Sequence, residues 1–172
     1  MNNDTRHYRA KSIRERLLFK QYLKDSDNGL NFKYTDYKSF EKHDVTFLSI
    51  KDLNFTRTIS EIKVRNIEYK KTQGGFFIQK DKYDYLMAQG EKYDRIEYIN
   101  IFPDGIIVWD LKKLNTPTFH KEILPVNNHS NSSKEKEVGF LFFWEADIVI
   151  NKEINIISTL KKAYEIIDRI EK

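Results

Sequence analysis

The sequence of 172 residues contains no cysteine. This absence excludes a disulfide framework, thiolate zinc sites and cysteine nucleophiles. The four histidines do not show the paired spacing of zinc ligands: His7, His43, His120 and His129. A chain of this length is expected to form a single domain over residues 1–172, with one core and no covalent or metal crosslink.

Long apolar runs are also absent. No stretch approaches the length of about 18 apolar residues that spans a bilayer, and the opening MNNDTRHYRAKSIRER lacks the apolar centre of a signal peptide. We therefore expect a cytoplasmic protein with no membrane partner. The 30 Lys and Arg residues outnumber the 26 Asp and Glu residues, which gives a formal net charge of +4. This balance permits a nucleic-acid partner without establishing one.

Hydrophobic periodicity predicts alternating helices and strands. A first helix is expected where one acidic and three apolar side chains recur at helical spacing: Glu15, Leu18, Phe19 and Tyr22. An antiparallel meander is expected from three segments rich in β-forming residues: NFKYTDY, DVTFLSI and FTRTISEIKVR. A short helix, a hairpin, a strand (or a strand and its exit) and a last helix follow: DKYDYLMAQ, EYINIF-PDG-IIVWDL, GFLFFWEADIVI and INIISTLKKAYEIIDRIEK. This order predicts the α/β class, with a mixed β-sheet flanked by helices.

The segment SEIKVRN, residues 60–66, combines a strand-like pattern with charge. Successive side chains of a strand alternate, so Glu61 and Lys63 share one face while Ile62 and Val64 share the other. The charged face is either solvated or part of a site. On a solvated strand face, alternating charges would have no chemical role.

The preceding hairpin brings a second carboxylate to Glu61. A loop at 51–54 places Asp44 opposite Glu61, where directly opposed Cβ atoms are about 4.5–5.5 Å apart. Two carboxylates at that distance repel each other, and either Mg²⁺ or the ammonium of Lys63 would relieve the repulsion. This combination suits hydrolysis of a phosphodiester, in which a metal generates hydroxide and Lys63 orients the water or stabilises charge on the phosphate.

These residues, in this order, resemble the PD-(D/E)XK nuclease superfamily. The resemblance covers about residues 8–111 and implies a restriction-endonuclease-like α-β-β-β-α-β core with an extra hairpin and a C-terminal helix. It also implies that one or two Mg²⁺ (or Mn²⁺) ions are bound by Asp44, Glu61, Glu15 of the first helix and the backbone oxygen of Ile62, with DNA as the substrate. His43 departs from the family pattern, which has proline at that position.

A second resemblance concerns the segment GGFFIQKDKYDYL. It looks like the strand-to-helix passage of Holliday-junction resolvases, which implies that Gln79, Lys80 and Lys82 contact the DNA backbone. A homodimer would suit such an enzyme. Residues 112–172 are a C-terminal extension, with a mobile loop expected at 125–139, and could hold the dimer contact or the substrate specificity.

Several alternatives stay open at this point. Glu41 could replace Glu15 as the third acid, and Glu145 and Asp147 could form a rival site on one strand face, although a solvated edge is the simpler interpretation. The alternative functions are a non-catalytic nucleic-acid-binding domain and a protein-interaction domain of the same fold.

Overall fold

The computed structural model describes residues 3–26, 31–34, 44–51, 54–125 and 133–170. These residues form three α-helices: α1 (Asn3–Ser26), α2 (Lys80–Met87) and α3 (Ile156–Ile170). They form nine β-strands: β1 (Asn31–Tyr34), β2 (Val45–Lys51), β3 (Asn54–Val64), β4 (Gly75–Gln79), β5 (Arg95–Phe102), β6 (Gly105–Asp110), β7 (Phe119–Pro125), β8 (Ser133–Phe142) and β9 (Ile148–Asn151). Two short 3₁₀ turns lie at Tyr69–Lys71 and Phe143–Glu145.

The strands form two sheets, which confirms the α/β class with a mixed sheet. The larger sheet has the order β1-β2-β3-β5-β6-β9. Its β3 and β5 are parallel, joined by a crossover through β4 and α2, and its other neighbours are antiparallel. The smaller sheet is antiparallel, with the order β4-β8-β7.

The larger sheet lies between α1 and the smaller sheet. On one face, apolar side chains of the sheet pack against α1: Val45, Ile62, Ile99 and Val108 against Leu18 and Phe19. On the other face, a second cluster joins the sheet to β4, α2 and β8: Ile59, Ile96, Tyr98 and Trp109 against Ile78, Leu86 and Leu141. Both faces of the central strands are therefore covered.

Because both faces of the larger sheet are covered, the middle of β3 is buried. Residues Thr58–Ile62 of β3 are all buried, whichever face they point to. A strand covered on both faces is normally a continuous apolar run, yet β3 carries Glu61 there. Glu61 is therefore shielded from solvent, and the interpretation of Glu61 as part of an exposed strand face is wrong.

Two sequence-based expectations need correction. The loop predicted at 125–139 is too long, because residues 133–139 belong to β8 and 119–125 form the unpredicted strand β7. GFLFFWEADIVI is not one strand, since it ends β8 in one sheet and continues into β9 in the other. NFKYTDY forms a strand over 31–34, and its remaining residues lie outside those described.

None of the helices among the described residues is long and apolar enough to cross a membrane.

Candidate active site

The β2–β3 hairpin brings Asp44 next to Glu61. Two predicted cross-strand pairs are observed: Ile50–Phe55 and Leu48–Arg57. Val45 pairs with Ser60 at the end of this ladder, so Asp44 falls opposite Glu61. The backbone N–H of Asp44 donates to the carbonyl of Ser60 at 3.0 Å, and its Oδ2 accepts from the N–H of Ile62 at 2.7 Å. These bonds hold the Asp44 carboxylate against β3.

Glu61 is a buried carboxylate held by two lysines. It is 1% exposed. Lys63 Nζ lies 2.5 Å from its Oε1, and Lys82 Nζ, from α2, lies 2.9 Å from its Oε2. Burial alone would raise the pKa of Glu61, but the two ammonium groups outweigh burial and lower it. Glu61 is therefore ionised at neutral pH.

Asp44 has the opposite electrostatic state. Burial, followed by repulsion from Glu61 and Glu15, raises the pKa of Asp44 from 3.8 to about 7. The attraction of Lys63 and the hydrogen bond from Ile62 offset only part of this rise. Asp44 is thus a carboxyl group that exchanges its proton near neutral pH, and two carboxylates in this site do not ionise equally.

Glu15 reaches the same group of side chains from α1. Burial raises the pKa of Glu15, and the negative charge of Glu61 adds to this rise. The positive charges of Lys63 and Arg14 oppose it, but the pKa of Glu15 stays above its ordinary value. The backbone N–H of Val64, at the end of β3, also stabilises the ionised carboxylate by a hydrogen bond. The structure therefore brings the predicted helical acid to the site.

Lys63 is the cation shared by the three acids. Burial disfavours its ammonium, but attraction from Glu61, Asp44 and Glu15 raises its pKa above the ordinary value. Its side chain is 38% exposed, so part of it still meets solvent beside the buried Glu61. A lysine in this state stays protonated and acts as a fixed positive charge, which excludes a role as general base.

The acids fit a hard cation only in part. Across the described ranges, no three histidine or acidic side chains are arranged as a ready metal site. One observation nevertheless suits a cation: burial and then repulsion from Glu61 raise the pKa of Asp44, and a cation between the two carboxylates would relieve that repulsion. Asp44 and Glu61 are the residues that could hold it, and the roles of Glu15 and the Ile62 carbonyl stay predictions.

The three residues predicted to contact DNA lie in different surroundings in the structure. Lys82 lies in the site as an ion-pair partner of Glu61. Lys80 pairs with Asp84 at 2.5 Å on the exposed surface of α2, and the Oε1 of Gln79 accepts from Lys136 Nζ at 3.2 Å. Only Lys82 joins the acids, and the DNA contacts themselves stay predictions.

Sequence reasoning missed Tyr98 and Arg65. Tyr98 of β5 is the neighbour of Glu61 in the parallel ladder. Its hydroxyl donates to the carbonyl of Phe77 and accepts from Arg65 Nη2, both at 3.1 Å. The signal was available, because a strand-helix-strand order predicts parallel pairing and would have placed EYIN beside SEIK.

The rival acidic pair does not form a site. Glu145 lies in a 3₁₀ turn, where its carboxylate accepts from the N–H of Phe142 at 3.3 Å. Asp147 pairs with Arg95 and with Lys113, the latter at 2.6 Å. The expectation that both share one strand face is wrong. Glu41 and His43 lie outside the described residues.

Comparison with known proteins identifies no relative: no family model, no curated protein and no solved structure matches this chain. Function therefore has to be argued from the site alone.

Proposed function

We propose that this chain is a Mg²⁺-dependent nuclease of the PD-(D/E)XK type that hydrolyses DNA. One observation carries the proposal: a carboxylate in the buried part of a central strand, Glu61, lies between two lysines and opposite a second carboxylate, Asp44. Burying an ionised group is costly unless it is compensated. Clusters of strongly perturbed acids and bases are typical of catalytic sites.

Each residue has a role in the proposed hydrolysis. Asp44 and Glu61 would hold the metal, which when bound supplies an acidified water and offsets charge on the phosphate. Lys63, a permanent ammonium, would orient the water and stabilise the non-bridging phosphate oxygens as charge develops on them. Glu15, fixed by the N–H of Val64, would keep Lys63 in position. Water would then add to phosphorus and lose one proton to solvent, one P–O ester bond would break, and the leaving oxygen would take up a proton from solvent.

The testing experiment measures cleavage of plasmid, linear duplex, single-stranded and four-way-junction DNA in Mg²⁺, Mn²⁺ and EDTA. Wild type should cut only with metal, and Glu61→Gln and Asp44→Asn should be inactive. Asp44→Asn is the cleaner variant, because an asparagine oxygen can still accept the hydrogen bond from Ile62. Glu68→Gln, which affects an exposed pair with Lys71 at 3.0 Å, is the matched control and should cut normally. Full activity in folded Asp44→Asn would refute the assignment.

A nucleic-acid-binding domain without catalysis is the second candidate. The observation in its favour is that Lys63 and Lys82 already compensate Glu61, so the carboxylate has partners without a metal. Calorimetry with Mg²⁺ separates the two candidates, since a catalytic site must bind metal and a binding domain need not. A protein-interaction domain would bind neither Mg²⁺ nor DNA at low salt.

A further inference from the structure

The outer face of the smaller sheet carries a continuous row of rings, which we call the aromatic stripe: His120, Phe77, Phe140, Phe142 and Trp144. Neighbouring rings are in contact, with centroid separations between 4.1 and 6.1 Å. The stripe crosses all three strands and ends in the 3₁₀ turn after β8.

Strand alternation places the stripe on the solvent side. Phe77 of β4 pairs with Phe140 of β8, whereas the residues that follow them, Ile78 and Leu141, point into the core. The stripe is correspondingly accessible. Trp144 is 72% exposed, Phe77 39% and Phe142 36%.

The exposed rings form one patch instead of being scattered. Isolated exposed apolar residues are ordinary, whereas a contiguous row on one face marks a binding surface. Among the described residues of this face, every large apolar side chain that is exposed is aromatic. Exposed rings along adjacent strands are the means by which several β-sheet domains stack unpaired bases, because every base offers a π-face.

Two lysines lie beside the stripe. Lys134 and Lys136 occupy alternate positions of β8 in line with Phe140, so they lie on the same face. Lys136 Nζ also donates to Gln79 Oε1. Two acids are near the row as well: Glu122 lies 3.2 Å from His120, and Glu145 accepts the N–H of Phe142. The lysines would be the phosphate contacts of a polyanion bound along β8.

The stripe also adjoins the candidate active site. The carbonyl of Phe77 accepts from the hydroxyl of Tyr98, which is the ladder neighbour of Glu61. From β4 the chain passes directly into α2, where Lys82 contacts Glu61. The stripe and the acids are therefore connected through β4.

We propose that the aromatic stripe binds single-stranded nucleic acid, with bases stacked on the rings of Phe77, Phe142 and Trp144 and the backbone near Lys134 and Lys136. The proposal rests on the proposed function in one respect, since it names the form of polymer that the nuclease would receive. Binding itself does not require cleavage. A duplex hides the base faces, so the stripe discriminates in favour of unpaired strands.

The test is fluorescence anisotropy in EDTA with a labelled oligothymidine of about 20 nucleotides and a duplex of the same length. Wild type should bind the single strand about tenfold more tightly than the duplex. Trp144→Ala should weaken single-strand binding about tenfold, because one stacking surface is lost, and Trp144→Phe should restore most of it. Lys136→Ala should reduce the salt dependence of binding.

The matched control is Phe55→Ala, which removes a 65% exposed ring from β3 outside the stripe and should bind normally. Equal binding by Trp144→Ala and Phe55→Ala would overturn the proposal, as would a preference of wild type for the duplex. Conversion of a dimer to a monomer by Trp144→Ala, with DNA binding unchanged, would identify a self-association surface instead. If binding depends on the stripe but wild type does not cleave DNA, the proposed nuclease activity is refuted and the proposed binding surface is supported. If wild type cleaves DNA and the stripe variants bind and cleave as wild type does, the binding surface is refuted and the nuclease is supported.

Discussion

Replacing Asp44 with asparagine should stabilise the metal-free protein at alkaline pH while removing the proposed nuclease activity. Burial, followed by repulsion from Glu61 and Glu15, raises the pKa of the Asp44 carboxyl group to about 7. Asparagine has nearly the same shape, does not titrate and can accept the same hydrogen bond from Ile62. The substitution therefore isolates the electrostatic cost of the site.

The sign and size follow from the two pKa values. The folded-state value of about 7 lies above the ordinary value of 3.8, so the folded protein binds this proton more tightly than the unfolded chain does. The stability that results is complete below the unfolded-state pKa and is lost as pH rises through the folded-state pKa. Each unit of difference in pKa corresponds to about 1.4 kcal/mol. The free energy of unfolding of wild type should therefore fall by roughly 2–3 kcal/mol between pH 5 and pH 8 because of this group.

Urea denaturation in EDTA at several pH values measures the effect. The free energy of unfolding of Asp44→Asn, relative to wild type, should rise by roughly 2–3 kcal/mol from pH 5 to pH 8. Asp94→Asn is the control: hydrogen bonds from Arg57 lower the pKa of Asp94, so its difference from wild type should stay constant over that range. A difference for Asp44→Asn that does not change with pH would refute the electrostatic account of the site.

Two further substitutions test the packing around the site. Lys82→Ala leaves the buried Glu61 with one ammonium partner, so the metal-free protein should lose roughly 1–3 kcal/mol of unfolding free energy in urea. Lys80→Ala, which removes an exposed pair with Asp84, should keep the wild-type free energy of unfolding. If both variants unfold at the same urea concentration, the pair of Lys82 with Glu61 does not stabilise the protein. Gly75→Ala should also lower the free energy of unfolding by roughly 1–3 kcal/mol, because the new Cβ would lie 2.3 Å from the carbonyl of Leu141 and 2.4 Å from the ring of Phe140. Wild-type stability in Gly75→Ala would show that β4 and β8 are less tightly packed than described.

The placement of Asp44 could be predicted because its strand and that of Glu61 are neighbours in sequence. A short hairpin loop allows few registers, and the register fixes which side chains are opposed. The burial of Glu61 could not be predicted in the same way. It depends on a second layer that covers the charged face, and nothing within SEIKVRN indicates that layer.

The smaller sheet was missed for two physical reasons. β4 pairs with β8, which follows only after three other strands, so no local turn signals the pairing. Residues 134–137 read KEKE, with charge on both faces, and therefore lack the apolar alternation that predicts a strand. Lys82 was expected at the DNA backbone for a related reason: its contact with Glu61 exists only because α2 packs across the larger sheet.

In the proposed nuclease, the position of Lys82 would also link the binding of the metal to the binding of the nucleic acid. A phosphate group that attracts Lys82 would loosen its ion pair with Glu61, and a carboxylate with one ammonium partner instead of two competes better for a divalent cation. Thermodynamic reciprocity then requires that the cation, by taking over Glu61, make Lys82 more available to phosphate by the same factor. Metal and polymer would thus reinforce each other's binding, and the protein alone would hold its cation only weakly.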